Sequence, residues 1–252
     1  MHKRVIYIFT FILLFCTFAS GMAQLQQQNP KLKRGETIYY DAEIEMTIAP
    51  CNNVIDLLYF PMPKSSLKTI AEKNNFKYVI NGAYYYKSRD KAKPAGWYND
   101  QGVVSGKLSR NKAFSHIVQF DLTTREFKFI PLKFFNPKKR FSVLEFQAGP
   151  MIIENNKVIN LSDMHFRNHE GQYIRTLFAV KDKKQAYFIT IRTPVSLEEA
   201  AERILKADFC RKGSINVVSL ESGRGVAFYS SDHPEYNFNE GDALPILIGV
   251  KK

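Results

Sequence analysis

Short apolar runs, each closed by Asn, Gly, Pro or a cluster of charges, follow one another along this 252-residue chain. That rhythm restricts the fold before any motif is read, because runs this short are of strand length rather than helix length. From Ile38 the stretch "TIYYDAEIEMTIA" alternates apolar and polar positions at period two, and "NVIDLLYFPM" follows as a second run. Further strands are predicted at Lys77–Ile80, Gly102–Gly106, Ser115–Asp121, Glu126–Pro131, Val143–Ala148, Met151–Ile153, Arg175–Val180 and Ala186–Thr193. Two more, around Ile215–Leu220 and Val226–Phe228, flank a loop holding Glu221, Gly223, Arg224 and Gly225.

Only two segments have helical spacing. Ser65 or Ser66 can cap a short helix with Leu67, Ile70 and Ala71 on its apolar side. The stronger signal has Ser196 as N-cap and Glu199 as its capping-box partner, with an apolar stripe at Leu197, Ala200, Ala201, Ile204 and Leu205. Many strands and two helices, in no alternating βα order, predict an α+β fold: a strand-rich mixed sheet core with a few helices in a single domain.

The amino terminus reads differently. Lys3 and Arg4 precede an apolar run from Val5 to Ala19, and Ser20-Gly21-Met22-Ala23 supplies a small-x-small cleavage site. Residues 1–23 are therefore expected to be a signal peptide cut after Ala23, residues 24–37 a flexible leader, and 38–252 the folded domain. The expected location is periplasmic or secreted, with no integral membrane span, since no other segment approaches about 18 consecutive apolar residues. Cleavage would lower the formal charge from +12 by the two units of Lys3 and Arg4. A basic exported chain favours anionic partners. It would also remove Cys16, leaving Cys51 and Cys210 as one disulfide or as two buried thiols, which fit the sequence equally.

The chain lacks HExxH, CxxC, GxSxG and GxxxxGK[ST], so the common zinc, redox, serine-hydrolase and P-loop chemistries lose support. His116, His165, His169 and His233 have no compact metal-ligand spacing, and no metal or cofactor is expected. Pro137-Lys138-Lys139-Arg140 reads as a solvated loop rather than a nucleic-acid site. Asn81-Gly82 followed by Tyr84, Tyr85 and Tyr86 reads either as a turn with surface aromatics or as a platform for sugar rings. Gln147-Ala148-Gly149-Pro150 ends one strand, and Glu154-Asn155-Asn156 turns the hairpin beyond it. Arg175 and Thr176 open the "LFAV" strand, where a guanidinium can grip phosphate or form a structural ion pair. Glu221 and Arg224 bring opposite charges to a glycine-rich junction, which taken alone reads as an exposed turn with a weak ion pair.

The order of these pieces resembles the phosphodiester glycosidase family. "VINGAYYY", "NDQGVVSGKL", "FQAGPMIIENNKV", "IRTLFAV" and "SLEEAAERILKADFCRKGSINVVSLESGRG" are similar to its successive motifs, and "LPILIGV" resembles its closing strand. In that family the late loop reads Asn-Leu-Asp-Gly-Gly-x-Ser. Aligning Leu220 puts Ser219 at the Asn, Glu221 at the Asp, Ser222 and Gly223 at the glycines, and Gly225 at the Ser. The resemblance implies an exported hydrolase that cleaves a sugar-1-phosphodiester in a glycan or envelope component. Glu221 and Arg175 are its implied catalytic residues; Asn81, Gly82, Tyr84, Gln147, Gly149, Thr176, Gly223 and Arg224 its implied substrate contacts. The longer carboxylate, without the family's Asn, first Gly and Ser, equally admits an inactive exported protein that binds carbohydrate or phosphate. A basic envelope-interaction protein with no small-molecule site is the third reading.

Overall fold

Antiparallel ladders account for every strand pairing in the computed structural model, which describes residues 38–51, 55–61, 66–88, 91–162, 170–210, 212–239 and 244–252. The signal peptide and leader expected at 1–37, and His165 and His169, lie outside the described residues. Ile38–Lys252 forms one compact unit. The fold is strand-rich α+β, with antiparallel rather than mixed pairing among the described residues. Seven of the fifteen pairings among the described residues join consecutive strands, where the turn imposes that direction, and the other eight join strands that are not consecutive in the chain.

The largest sheet has seven strands in the order Tyr39–Asp41, Met46–Pro50, Gln185–Val195, Tyr173–Lys181, Ile215–Ser222, Met151–Glu154 and Lys157–Val158. A five-stranded sheet runs Glu126–Pro131, His116–Asp121, Val143–Ala148, Tyr98–Asp100, Val103–Val104. Another runs Phe238–Asn239, Ala227–Ser230, Phe76–Asn81, Ile246–Lys251, Ile55–Tyr59. Tyr85–Ser88 and Lys91–Pro94 make a separate hairpin. The single run expected from Ile38 is itself a hairpin, broken at Glu45, whose φ of 47° lies in the left-handed region that turns demand. Asn155 and Asn156, at φ 50° and 64°, make the turn expected after Met151–Ile153. Asparagine tolerates that conformation better than other side chains do.

Alternation divides each strand of the large sheet between two cores. Phe178, Phe188, Val218 and Leu220 face the two five-stranded sheets, meeting Phe127, Phe146, Ile80 and Ile248 in one apolar cluster. Phe178 is its centre, with Phe127, Phe129, Phe146 and Phe188 all within 6.3 Å between ring centroids. The opposite face, through Leu177, Ala179, Ile189 and Val217, is covered by helix α2 (Leu197–Lys206). Its buried Leu197, Ala200, Ala201 and Ile204 are the expected stripe, and the Ser196 Oγ accepts from Glu199 N at 3.0 Å as the expected cap. Helix α1 (Leu67–Asn74), capped by Ser66, packs Leu67, Ile70 and Ala71 on the outer side of the second five-stranded sheet. Cys51 and Cys210 are both buried free thiols.

Candidate active site

Three strand ends converge where the large sheet meets the sheet containing Phe76–Asn81. Asn81 is 2 % exposed and makes no turn. Its Oδ1 accepts from the Thr176 hydroxyl at 2.6 Å and from Ala227 N at 2.9 Å, so one side chain ties the two sheets together. Gly82 N donates to Ile246 O at 2.8 Å, and a Cβ there would lie 2.4 Å from Ile246 Cγ2. The Asn-Gly pair is thus the packed end of a strand rather than an exposed turn.

A register irregularity then sets the carboxylate. Leu177 pairs with Ser219, yet Thr176 pairs with Glu221, so Leu220 is an extra residue in its strand. A regular ladder would put Leu220 opposite Thr176 and Glu221 opposite Arg175. The bulge instead seats Glu221 beside Thr176, while Leu220 stays in the main core. The strand continues to Ser222, and Gly223–Gly225 forms the 3-10 turn beyond it. Glu221 is therefore half-buried at a strand end, not on an exposed turn.

Its surroundings explain its chemistry. Burial raises the Glu221 carboxyl from 4.5 to about 7, opposed by the Ser222 N–H that donates to Oε1 at 2.9 Å. A Cβ on Gly225 would stand 2.7 Å from Glu221 Cγ and 3.1 Å from Cδ, so the carboxylate arm occupies the space that a side chain at 225 would need. Gly223 is different: at φ 66° its missing side chain faces nothing within 4 Å, so the turn borders open space. Arg224, between them, is exposed.

Tyr84 and Arg175 complete the group. The Tyr84 hydroxyl is hydrogen-bonded to Ser219 Oγ at 3.2 Å and its ring stacks on Phe114 at 4.9 Å. Burial raises its phenol well above the ordinary value, the Glu221 charge adds to that, and Ser219 and Arg175 oppose it. One hydroxyl thus feels both the carboxylate and the guanidinium. Arg175 is 2 % exposed; its Nε donates to Val195 O at 3.1 Å, one NH2 proton goes to Gly171 O, and Tyr173 lies against its guanidinium at 5.1 Å. Burial pulls its pKa down, while Tyr84, Tyr173 and Glu198 pull it up. Two of its five donors are used by these carbonyls.

Two expected contacts sit behind this group. Gln147 is 3 % exposed and its amide is fully engaged: Oε1 accepts from Trp97 N and Ser109 N, and Nε2 donates to Ser109 O and Phe114 O. It fastens the loop that brings Phe114 under Tyr84. Gly149 N donates to Ser219 O at 3.0 Å, and a Cβ there would stand 2.3 Å from Ala113 O. The fold also recruits residues with no local signal. Phe114 is a lone aromatic in a polar loop, and the role of Gly225 depends on the bend of the bulged strand. Among the described residues no three His, Cys, Asp or Glu side chains are grouped to hold a metal.

On this strand-rich α+β fold the site thus groups a half-buried carboxyl with a raised pKa, a tyrosine hydroxyl that feels its charge and a buried guanidinium, the kind of perturbed cluster that marks a candidate catalytic site. The chain is a member of the phosphodiester glycosidase family, whose profile matches residues 74–233 and so spans every site residue from Asn81 to Arg224. Its fold is similar to the catalytic domain of zebrafish N-acetylglucosamine-1-phosphodiester alpha-N-acetylglucosaminidase, auto-inhibited by its pro-peptide, with a TM-score of 0.56 at 11% identity over 86% of this chain and 82% of that one. A hypothetical protein from Synechocystis is similar with a TM-score of 0.52 at 10% identity, over 85% of this chain and 61% of that one. Among curated proteins no match is found.

Proposed function

We propose that the mature chain is exported and hydrolyses a sugar-1-phosphodiester, with the ionised Glu221 as the general base. The observation that carries this reading is a carboxyl raised to about 7 at a bulged strand end, beside open space at Gly223. Near neutral pH such a group exchanges protons readily in both directions. Water adds to the anomeric carbon, its proton passes to Glu221, and the bond from that carbon to the phosphate oxygen breaks with its electron pair on the phosphate. Phosphate is a good leaving group, so the protein need mainly hold it and balance its charge. Arg175, fixed by two carbonyls, and Arg224 at the turn supply positive charge, and Tyr84 on Phe114 offers a ring face to a sugar. Thr176 and Asn81 brace the carboxylate's strand, while Gly82, Gln147 and Gly149 shape the pocket from behind. The substrate class follows from the likeness to the zebrafish enzyme and from the strongly basic charge that remains after Lys3 and Arg4 are removed.

The alternative, an exported protein that binds such ligands without turnover, is favoured by one contact: Glu221 Oε1 is folded back onto its neighbour's amide. Release of reducing sugar from a panel of sugar-1-phosphodiesters separates the two. Under the catalytic reading Glu221→Gln abolishes release, and the parent's kcat/KM rises with pH through about 7 as the base ionises. Saturable binding by both proteins with no release by either would sink it.

A further inference from the structure

We propose that the loop around Leu132–Phe141 docks the protein on an anionic lipid surface. The segment reads LKFFNPKKRF, with four cations and no acidic residue. Its aromatic side chains divide sharply. Phe135 is 9 % exposed and packs on Trp97 at 5.8 Å, whereas Phe134 and Phe141 are 71 % and 69 % exposed. Arg140 is committed inward: its NH1 bonds the fully buried Glu145 at 2.9 Å, its NH2 donates to Asn136 O, and its guanidinium lies over Phe135 at 5.3 Å. Glu145 also accepts from Trp97 Nε1, Asn99 and Gln119. The loop is therefore riveted to the sheet at its middle, and its outward rings are held out by structure.

Each outward ring carries a lysine. Lys133 Nζ lies 4.8 Å from the Phe134 ring centre and Lys139 Nζ 5.2 Å from that of Phe141. Lys138 is exposed between them. The apolar surface continues onto the next hairpin: Phe141 lies so close on Gly102 that a Cβ there would be 2.5 Å from the ring, and the following Val103 and Val104 are 67 % and 40 % exposed. Rings and valines paired with ammonium groups fit the boundary between phosphate headgroups and acyl chains, where an apolar side chain enters and a lysine stays at the phosphates. A dissolved polyanion would use the lysines and leave the rings in water. Anionic lipid is the partner that uses both.

The test is co-sedimentation of the mature chain, residues 24–252, with phosphatidylcholine vesicles, with and without phosphatidylglycerol, in low and high salt. Binding is expected only with phosphatidylglycerol and should weaken as salt rises. Phe134→Ser and Phe141→Ser should each weaken it at least about tenfold, the scale set by burying one benzyl side chain. Lys138→Ala and Lys139→Ala should each cost about fivefold. All four positions are exposed, so thermal melts should match the parent, and sugar release should be unchanged. No binding to phosphatidylglycerol vesicles, equal binding to pure phosphatidylcholine, or phosphatidylglycerol binding indifferent to both phenylalanine changes would each overturn the proposal. The last result would mark a purely electrostatic attraction spread over a basic protein.

Discussion

Replacing Glu221 by Gln should make the protein more stable, and only towards alkaline pH. The carboxyl has an ordinary value of 4.5 and stands at about 7 in the fold, raised by burial and opposed by the Ser222 N–H. Because the folded value lies above the unfolded one, the native state holds its proton longer. The stability that the protonated group contributes is complete below about pH 4.5 and is lost as pH rises through about 7. At about 1.4 kcal/mol per pKa unit, ionising the group in place costs about 3 kcal/mol. Glutamine has nearly the same volume, keeps an oxygen for the Ser222 N–H, and never ionises. Urea unfolding of the two proteins should therefore agree near pH 4.5 and diverge steadily, with the variant ahead by up to about 3 kcal/mol near pH 8.5, or about 6–12 °C in Tm for a domain of this size. A constant offset at every pH, or a parent more stable in alkali, would refute a buried carboxyl that ionises at the expense of the fold.

Other substitutions probe the supports of the same group. Gly225→Ser places a Cβ 2.7 Å from Glu221 Cγ and must displace the carboxylate arm; under the catalytic reading, a shift of about 1 Å lowers kcat about 10²-fold, checked by sugar release with KM measured alongside. Thr176→Val removes the 2.6 Å bond to Asn81 Oδ1 but leaves that oxygen the Ala227 N–H, so urea unfolding should show a loss of about 1 kcal/mol; a neutral result would mean the sheets are held by packing alone. Gln147→Ala strands the backbone groups of Trp97, Ser109 and Phe114 that its amide now satisfies. Limited proteolysis should then cut between 109 and 114, in a variant destabilised by about 3 kcal/mol or more.

Local periodicity was enough for most of the longer strands and both helices, since side-chain alternation and the Ser196 cap operate within a few residues, but it missed Tyr85–Ser88, Lys91–Pro94 and Tyr98–Asp100, and of Gly102–Gly106 only Val103–Val104 is a strand. Apolar runs drew notice to the polar residues Asn81, Arg175, Thr176 and Glu221 at their ends, but it was the family resemblance that grouped them, with Tyr84, as one candidate site. Periodicity could not say that the run from Ile38 breaks into a hairpin, because period two persists across the turn. Nor could it assign Gln147 and Gly82 to packing: their partners at Ser109, Phe114 and Ile246 are remote in sequence. The antiparallel direction of the ladders likewise rests on long-range pairing.

By itself, then, the sequence determined which segments bury a face and which charged groups stand near strand ends, because propensity and hydrophobic patterning are local properties. Tertiary structure alone decided what those groups became. The extra residue Leu220 turned Glu221 onto the face of Thr176, and Gly225 left room for its arm. The meeting of two sheets then desolvated the carboxyl enough to move it to about 7. A pKa depends on everything packed around an oxygen, and that packing exists only after residues far apart in the chain have come together.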